Sequence, residues 1–67
     1  MEKIIFVRYF KQYGEEWYDV FYVSGRVQSY IKRKLPKTAK AFLDHSTKCK
    51  EQYDGVFKRT EYIYTIE

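Results

Sequence analysis

This chain has one cysteine, one proline, one methionine and one histidine in 67 residues, and only three glycines. A single cysteine excludes an internal disulfide, and Cys49 with His45 cannot supply the four ligands of a structural zinc site. Long apolar runs are missing too. Ile4-Ile5-Phe6-Val7 is followed at once by Arg8, which is too short for the apolar region of a signal peptide or for a membrane span. The expected location is the cytosol, that of the host if the chain is viral. There is no Gly/Ser/Pro tract, no G-x-x-x-x-G-K, no G-x-G-x-x-G and no C-x-x-C, so the usual phosphate-loop and metal signatures are absent. Glu15, Glu16 and Asp19 flank a turn, where exposed acids are common, and His45 has no nucleophile or second histidine at a useful spacing. The reading is a protein that is no enzyme, with no cofactor, no metal and no small-molecule substrate.

What is abundant is aromatic and cationic. Tyrosine, phenylalanine and tryptophan make up 21% of the chain, and the net charge of +4 is unevenly spread: −1 over residues 1–25, +7 over 26–50 and −2 over 51–67. A chain of this length has room for one domain, residues 1–67, with one modest core.

Lys3–Lys11 and Trp17–Val23 are rich in β-branched and aromatic residues and are separated by a polar stretch around Gly14, which reads as strand, turn, strand. Ser24-Gly25 turns the chain back into a third segment, Arg26–Arg33, which fits a strand, although Val27, Tyr30, Ile31 and Leu35 also fit helical spacing. Leu35, Ala39, Phe42, Leu43, Ser46, Cys49 and Tyr53 recur at helical intervals, so a helix is predicted from about Pro36 to about Tyr53, stopped by Gly55. Cys49 would then be a small buried hydrophobe and His45 a boundary residue. Val56–Ile66 is a final strand. The expected fold is α+β: a small antiparallel sheet of three to four strands with one helix on one face, in the order β-β-β-α-β, the strand order left open.

Strand alternation gives both sheet faces apolar residues, one of them rich in tyrosine: Tyr9, Tyr18, Tyr22, Tyr62 and Tyr64. Tyrosines packed sideways with their hydroxyls in water, a homodimer or other protein interface, and a base-stacking surface are the three readings of that face. Trp17 reads as a core anchor.

The sharpest feature is a cation cluster with no acid between Val20 and Leu43. Arg26, Lys32, Arg33, Lys34 and Lys37 compose it, with Lys40 and Lys48 at its margin and Tyr30 beside it for stacking. Lys34 and Lys37 also sit at a predicted helix start, where the dipole disfavours cations and an anion would relieve them. Nucleic-acid backbone, an acidic protein surface, or solubility alone would each account for the cluster. Five engaged cations would give a salt slope of about −4 to −5 on duplex DNA.

Trp17-Tyr18-Asp19-Val20-Phe21-Tyr22, Ser24-Gly25-Arg26, the basic third segment and Lys37-Thr38-Ala39-Lys40-Ala41-Phe42-Leu43 together resemble the three-strand-plus-helix arm-type DNA-binding domain of phage and transposon integrases, which reads DNA with its sheet. The resemblance covers residues 17–43, rests on turn chemistry and alternation, and departs where Val56–Ile66 adds a strand and no catalytic domain follows. In size and layout the chain is also similar to small phage proteins that inhibit host enzymes or toxins. The expected protein is therefore a homodimer, joined through a sheet face or edge, that binds DNA or RNA through the cation cluster. The alternative is an interaction protein that blocks a host enzyme, toxin or nuclease, alone or with bound RNA.

Overall fold

The computed structural model of the chain describes residues 3–66. Five strands, β1 (Ile4–Gln12), β2 (Glu15–Tyr22), β3 (Val27–Ile31), β4 (Thr47–Asp54) and β5 (Arg59–Thr65), form one antiparallel sheet in the order β3-β2-β1-β5-β4. A 3-10 turn, Lys32–Lys34, and one short helix, α1 (Lys37–Asp44), connect β3 to β4. This corrects the expected fold class. The molecule is mostly sheet, with five strands in place of three or four, and the order is β-β-β-α-β-β.

The extra strand comes out of the predicted helix. The backbone leaves the helical region at His45, and Ser46 closes the end by donating both its N–H (3.1 Å) and its Oγ (2.8 Å) to the Leu43 carbonyl. The next eight residues pair with β5, from Thr47 opposite Thr65 to Asp54 opposite Arg59. Cys49 and Tyr53, four apart, had suited a helical stripe, but Thr47, Cys49, Glu51 and Tyr53 suit a strand of period two equally well. Asp54 decides locally. Its carboxylate accepts the N–H groups of Val56 (2.9 Å) and Phe57 (3.2 Å), which folds a tight hairpin that a helix running to Tyr53 could not enter. Cys49 is thus exposed, at a register irregularity in an edge strand.

The β1–β2 hairpin turns on Tyr13 and Gly14, both at positive φ (55° and 76°), with Gln12 opposite Glu15. A two-residue loop with both φ positive matches the right-handed twist of the flanking strands.

Because β3 and β4 are the two edges of the sheet, the connection between them must carry α1 across its face. It crosses over Val7 and Val20, whose small side chains leave a hollow that Ala39 fills. All three are fully buried, with Tyr22 and Leu35 beside them and Ile4, Tyr18, Tyr30, Phe42 and Leu43 packed around. The helix therefore lies on the tyrosine face, for which sideways packing, a protein interface and base stacking had been the readings.

The opposite face has no helix, for a reason written in its middle positions. Asp19 and Glu61 are 5% and 2% exposed, and each needs a cation. Arg8 binds Asp19 Oδ2 through Nη2 (2.7 Å) and Nε (3.2 Å), while Ser29 donates to Oδ1 (2.6 Å). Arg59 binds Glu61 at 2.9 Å and lies over the Phe10 ring at 3.7 Å, and Gln52 donates to the other Glu61 oxygen at 3.1 Å. Flanking this charged band, Phe6 and Phe21 stack at 4.2 Å. Arginine stems and rings cover the two acids without any second layer.

Candidate nucleic-acid interface

Only eight residues long, α1 covers one band of the tyrosine face and leaves the sheet uncovered on either side. On the side toward the β1–β2 hairpin, alternation presents Tyr9 and Lys11 from β1, Glu16 and Tyr18 from β2, and Tyr62 and Tyr64 from β5. Tyr9 stands opposite both Tyr18 and Tyr62 in register. The rings form a row: Tyr9 lies 5.1 Å from Tyr18 and 5.8 Å from Tyr62, tilted by 44° and 34°.

Three adjoining hollows of about 640, 380 and 580 Å³ follow this row. The first is bounded by Lys32, Arg33, Lys40, Glu16 and Tyr18; the second by Tyr18, Leu43, Tyr9 and Tyr64; the third by Tyr9, Tyr64, Tyr62, Lys11 and Lys48. Each shares lining residues with the next, so they make one trough. Its floor is tyrosine, its wall is the Lys40–Leu43–Asp44 side of α1, and cations stand at both ends.

The trough is held in shape by its own polar contacts. The Tyr9 hydroxyl donates to Glu16 Oε1, and Lys32 Nζ meets Glu16 Oε2 at 3.0 Å. Burial, and then the Glu16 carboxylate, push the Tyr9 phenol well above its ordinary value, so it stays protonated and keeps donating. Burial raises Tyr18 as well, with Glu16 adding to it. Glu16 is lowered, chiefly by the Tyr9 hydrogen bond and next by Lys32, and Lys32 is raised by Glu16. At the β3 edge Arg33 Nη1 contacts Glu15 Oε1 at 3.2 Å.

These pairs change the picture of the cation cluster. No acid lies near Lys32 and Arg33 along the chain, yet the β1–β2 hairpin brings Glu15 and Glu16 against them. The cluster also divides in space. Arg26 sits on the β2–β3 turn with its guanidinium 4.5 Å from the Tyr22 ring, at the end of β3 remote from Lys32. Lys34 and Lys37 are exposed and line none of the three hollows. Lys32, Arg33, Lys40 and Lys48 do line them, and Lys48 Nζ lies 5.1 Å from the Tyr62 ring. Tyr30 packs against the core, and Tyr22, at 7% exposure, is part of it.

So the trough gathers four of the seven cations and four of the five tyrosines that had been assigned to separate surfaces. Lys11, Leu43, Glu16 and Thr60 were missed. For Lys11 the signal was present, because it stands two residues beyond Tyr9 and four beyond Val7 on one strand face. Among the described residues no group of three or more His, Cys, Asp or Glu side chains could hold a metal, and no helix is long and apolar enough to cross a membrane. No family model, curated protein or solved structure matches this chain.

Proposed function

We propose that this chain is a non-enzymatic nucleic-acid-binding protein whose binding surface is the tyrosine-floored trough. The observation that carries the reading is the convergence of Lys11, Lys32, Arg33, Lys40 and Lys48 on one aromatic floor. Cations supply affinity for phosphate, and aromatic rings supply a surface that water leaves readily. Glu15 and Glu16 temper the charge at one end, and Glu16 also stands opposite Lys11 in register, so Lys48 at the other end is the less neutralised cation. Titration of labelled oligonucleotides across a salt series tests this. Five contributing cations give a slope of about −3.5 on a single strand and about −4.5 on a duplex. Lys11→Glu with Lys48→Glu should reduce affinity at least tenfold while the circular dichroism spectrum is kept, as expected of two reversed charges at a phosphate-binding surface. Absence of binding at low salt, or indifference to those reversals, would reject the reading.

A second reading, an interaction protein that blocks a host enzyme, toxin or nuclease, is favoured by the groove on the other side of α1. It measures about 730 Å³, is lined by Ile4, Ile5, Val23, Ala41, Phe42 and Ile66 among others, and leaves Ile5, Val23 and Ile66 exposed. Val23→Glu should abolish capture of a protein target and leave oligonucleotide binding unchanged. The reverse pattern would remove this reading.

A further inference from the structure

Resting on the nucleic-acid reading above, we infer that the trough takes a single strand, DNA or RNA, with unpaired bases stacked on Tyr9, Tyr62 and their neighbours and phosphates held by the cations at its two ends. A duplex would present its phosphates to the rim and keep its base faces inside the stack. The tyrosine floor would then touch nothing it is suited to. Unpaired bases expose the faces that such rings accept, without regard to sequence.

Dimensions and rigidity agree with this. From β3 to β4 the sheet spans four strand gaps, about 19 Å at the usual inter-strand spacing. That accommodates roughly three to five nucleotides of a partly unstacked strand. The floor is already built, since Tyr9 is tied through its hydroxyl to Glu16 and Glu16 to Lys32. A base would therefore meet a Tyr9 ring that needs no ordering on binding, which favours affinity, while on Tyr62 it would displace Lys48 from the ring face toward a phosphate. Lys32 and Arg33 mark one end and Lys48 the other, Lys11 stands beside Tyr9 on the central strand, and Lys40 stands on the wall between the ends. The site is thus a tyrosine-floored strip with cations at both ends and along its sides. Such a strip suits a chain whose phosphates and bases alternate.

The test compares four probes of equal length: single-stranded DNA, single-stranded RNA, duplex DNA, and a single strand with abasic sites in place of the central nucleotides. The abasic strand carries the same charge and lacks only the bases. Expected are tight binding of one or both intact single strands, at least tenfold weaker binding of the abasic strand, and weaker binding of the duplex. Tyr62→Ala should lower single-strand affinity by tenfold or more, and Tyr62→Phe should restore it, because the ring does the stacking. The DNA and RNA arms show which backbone is preferred. Equal affinity for intact and abasic strands, or a duplex preferred over both with Tyr62→Ala neutral, would overturn the inference while leaving nucleic-acid binding in place. No binding of any probe at low salt, with poly-glutamate peptide bound in their stead, would overturn both.

Discussion

Glu16 carries the sharpest consequence at the scale of single residues. It faces Tyr9 and Lys11 from β1, Tyr18 from its own strand and Lys32 from the 3-10 turn, and its pKa lies below the ordinary 4.5. A carboxylate whose folded pKa is depressed contributes stability that is complete above the unfolded value and disappears as pH falls through the folded one. Wild type should therefore lose stability below about pH 4.5 more steeply than Glu16→Gln, as read by thermal melts between pH 3 and 6. The same substitution removes a negative charge from the trough, so oligonucleotide affinity at neutral pH should rise several-fold. A fall in affinity would mean that ordering Tyr9 matters more than relieving the charge. Asp19 and Glu61 on the other face illustrate a different use of acids. Their oxygens are occupied by Arg8, Ser29, Arg59 and Gln52, and among the described residues no buried side-chain polar atom is left without a partner.

Among the elements, α1 and β4 define the site between them. A helix running to Tyr53 would have been long enough to cover much of the tyrosine row. Its end at Asp44 leaves that row as a trough and frees residues 47–54 to become an edge strand. That strand is almost wholly exposed and is held by its pairing with β5, with Lys48 and Lys50 on it as charges that discourage edge-to-edge association. Cys49 reports on this arrangement. In the native protein it should react with a thiol reagent at close to the rate of the unfolded chain. Protection by a hundredfold or more would restore the buried helical position and refute the strand.

For the whole molecule, charge is arranged by folding as much as by sequence. The +7 of residues 26–50 is partly offset where Glu15 and Glu16 reach Lys32 and Arg33, and the remainder is distributed over two faces and a turn. Lys32 and Lys48 occupy opposite ends of the trough, too far apart to share a phosphate. Their alanine substitutions should therefore have additive effects on binding free energy, within about 0.5 kcal/mol. Lys32→Ala should be the more damaging, because it also leaves Glu16 facing the bound strand. Strong non-additivity would mean that the two ends do not engage one ligand.

Much of this was legible in the chain. Local turn chemistry at Tyr13-Gly14 and Ser24-Gly25, and β-branched and aromatic runs between them, specify β1, β2 and β3 because such preferences act over a few residues. Alternation places Tyr9, Tyr18, Tyr62 and Tyr64 on one face, and even Arg8, Asp19 and Glu61 on the other were there to mark the face a helix would avoid. Three matters could not be settled along the chain, since each depends on residues distant in sequence. Residues 47–54 have a pattern compatible with either period, and pairing with β5 selects the strand. The helix chooses its face through the hollow over Val7 and Val20, which exists only once β1 and β2 are side by side. The trough itself needs β5 inserted between β1 and β4, because only that strand order sets Tyr62 beside Tyr9 and carries Lys48 to the far rim.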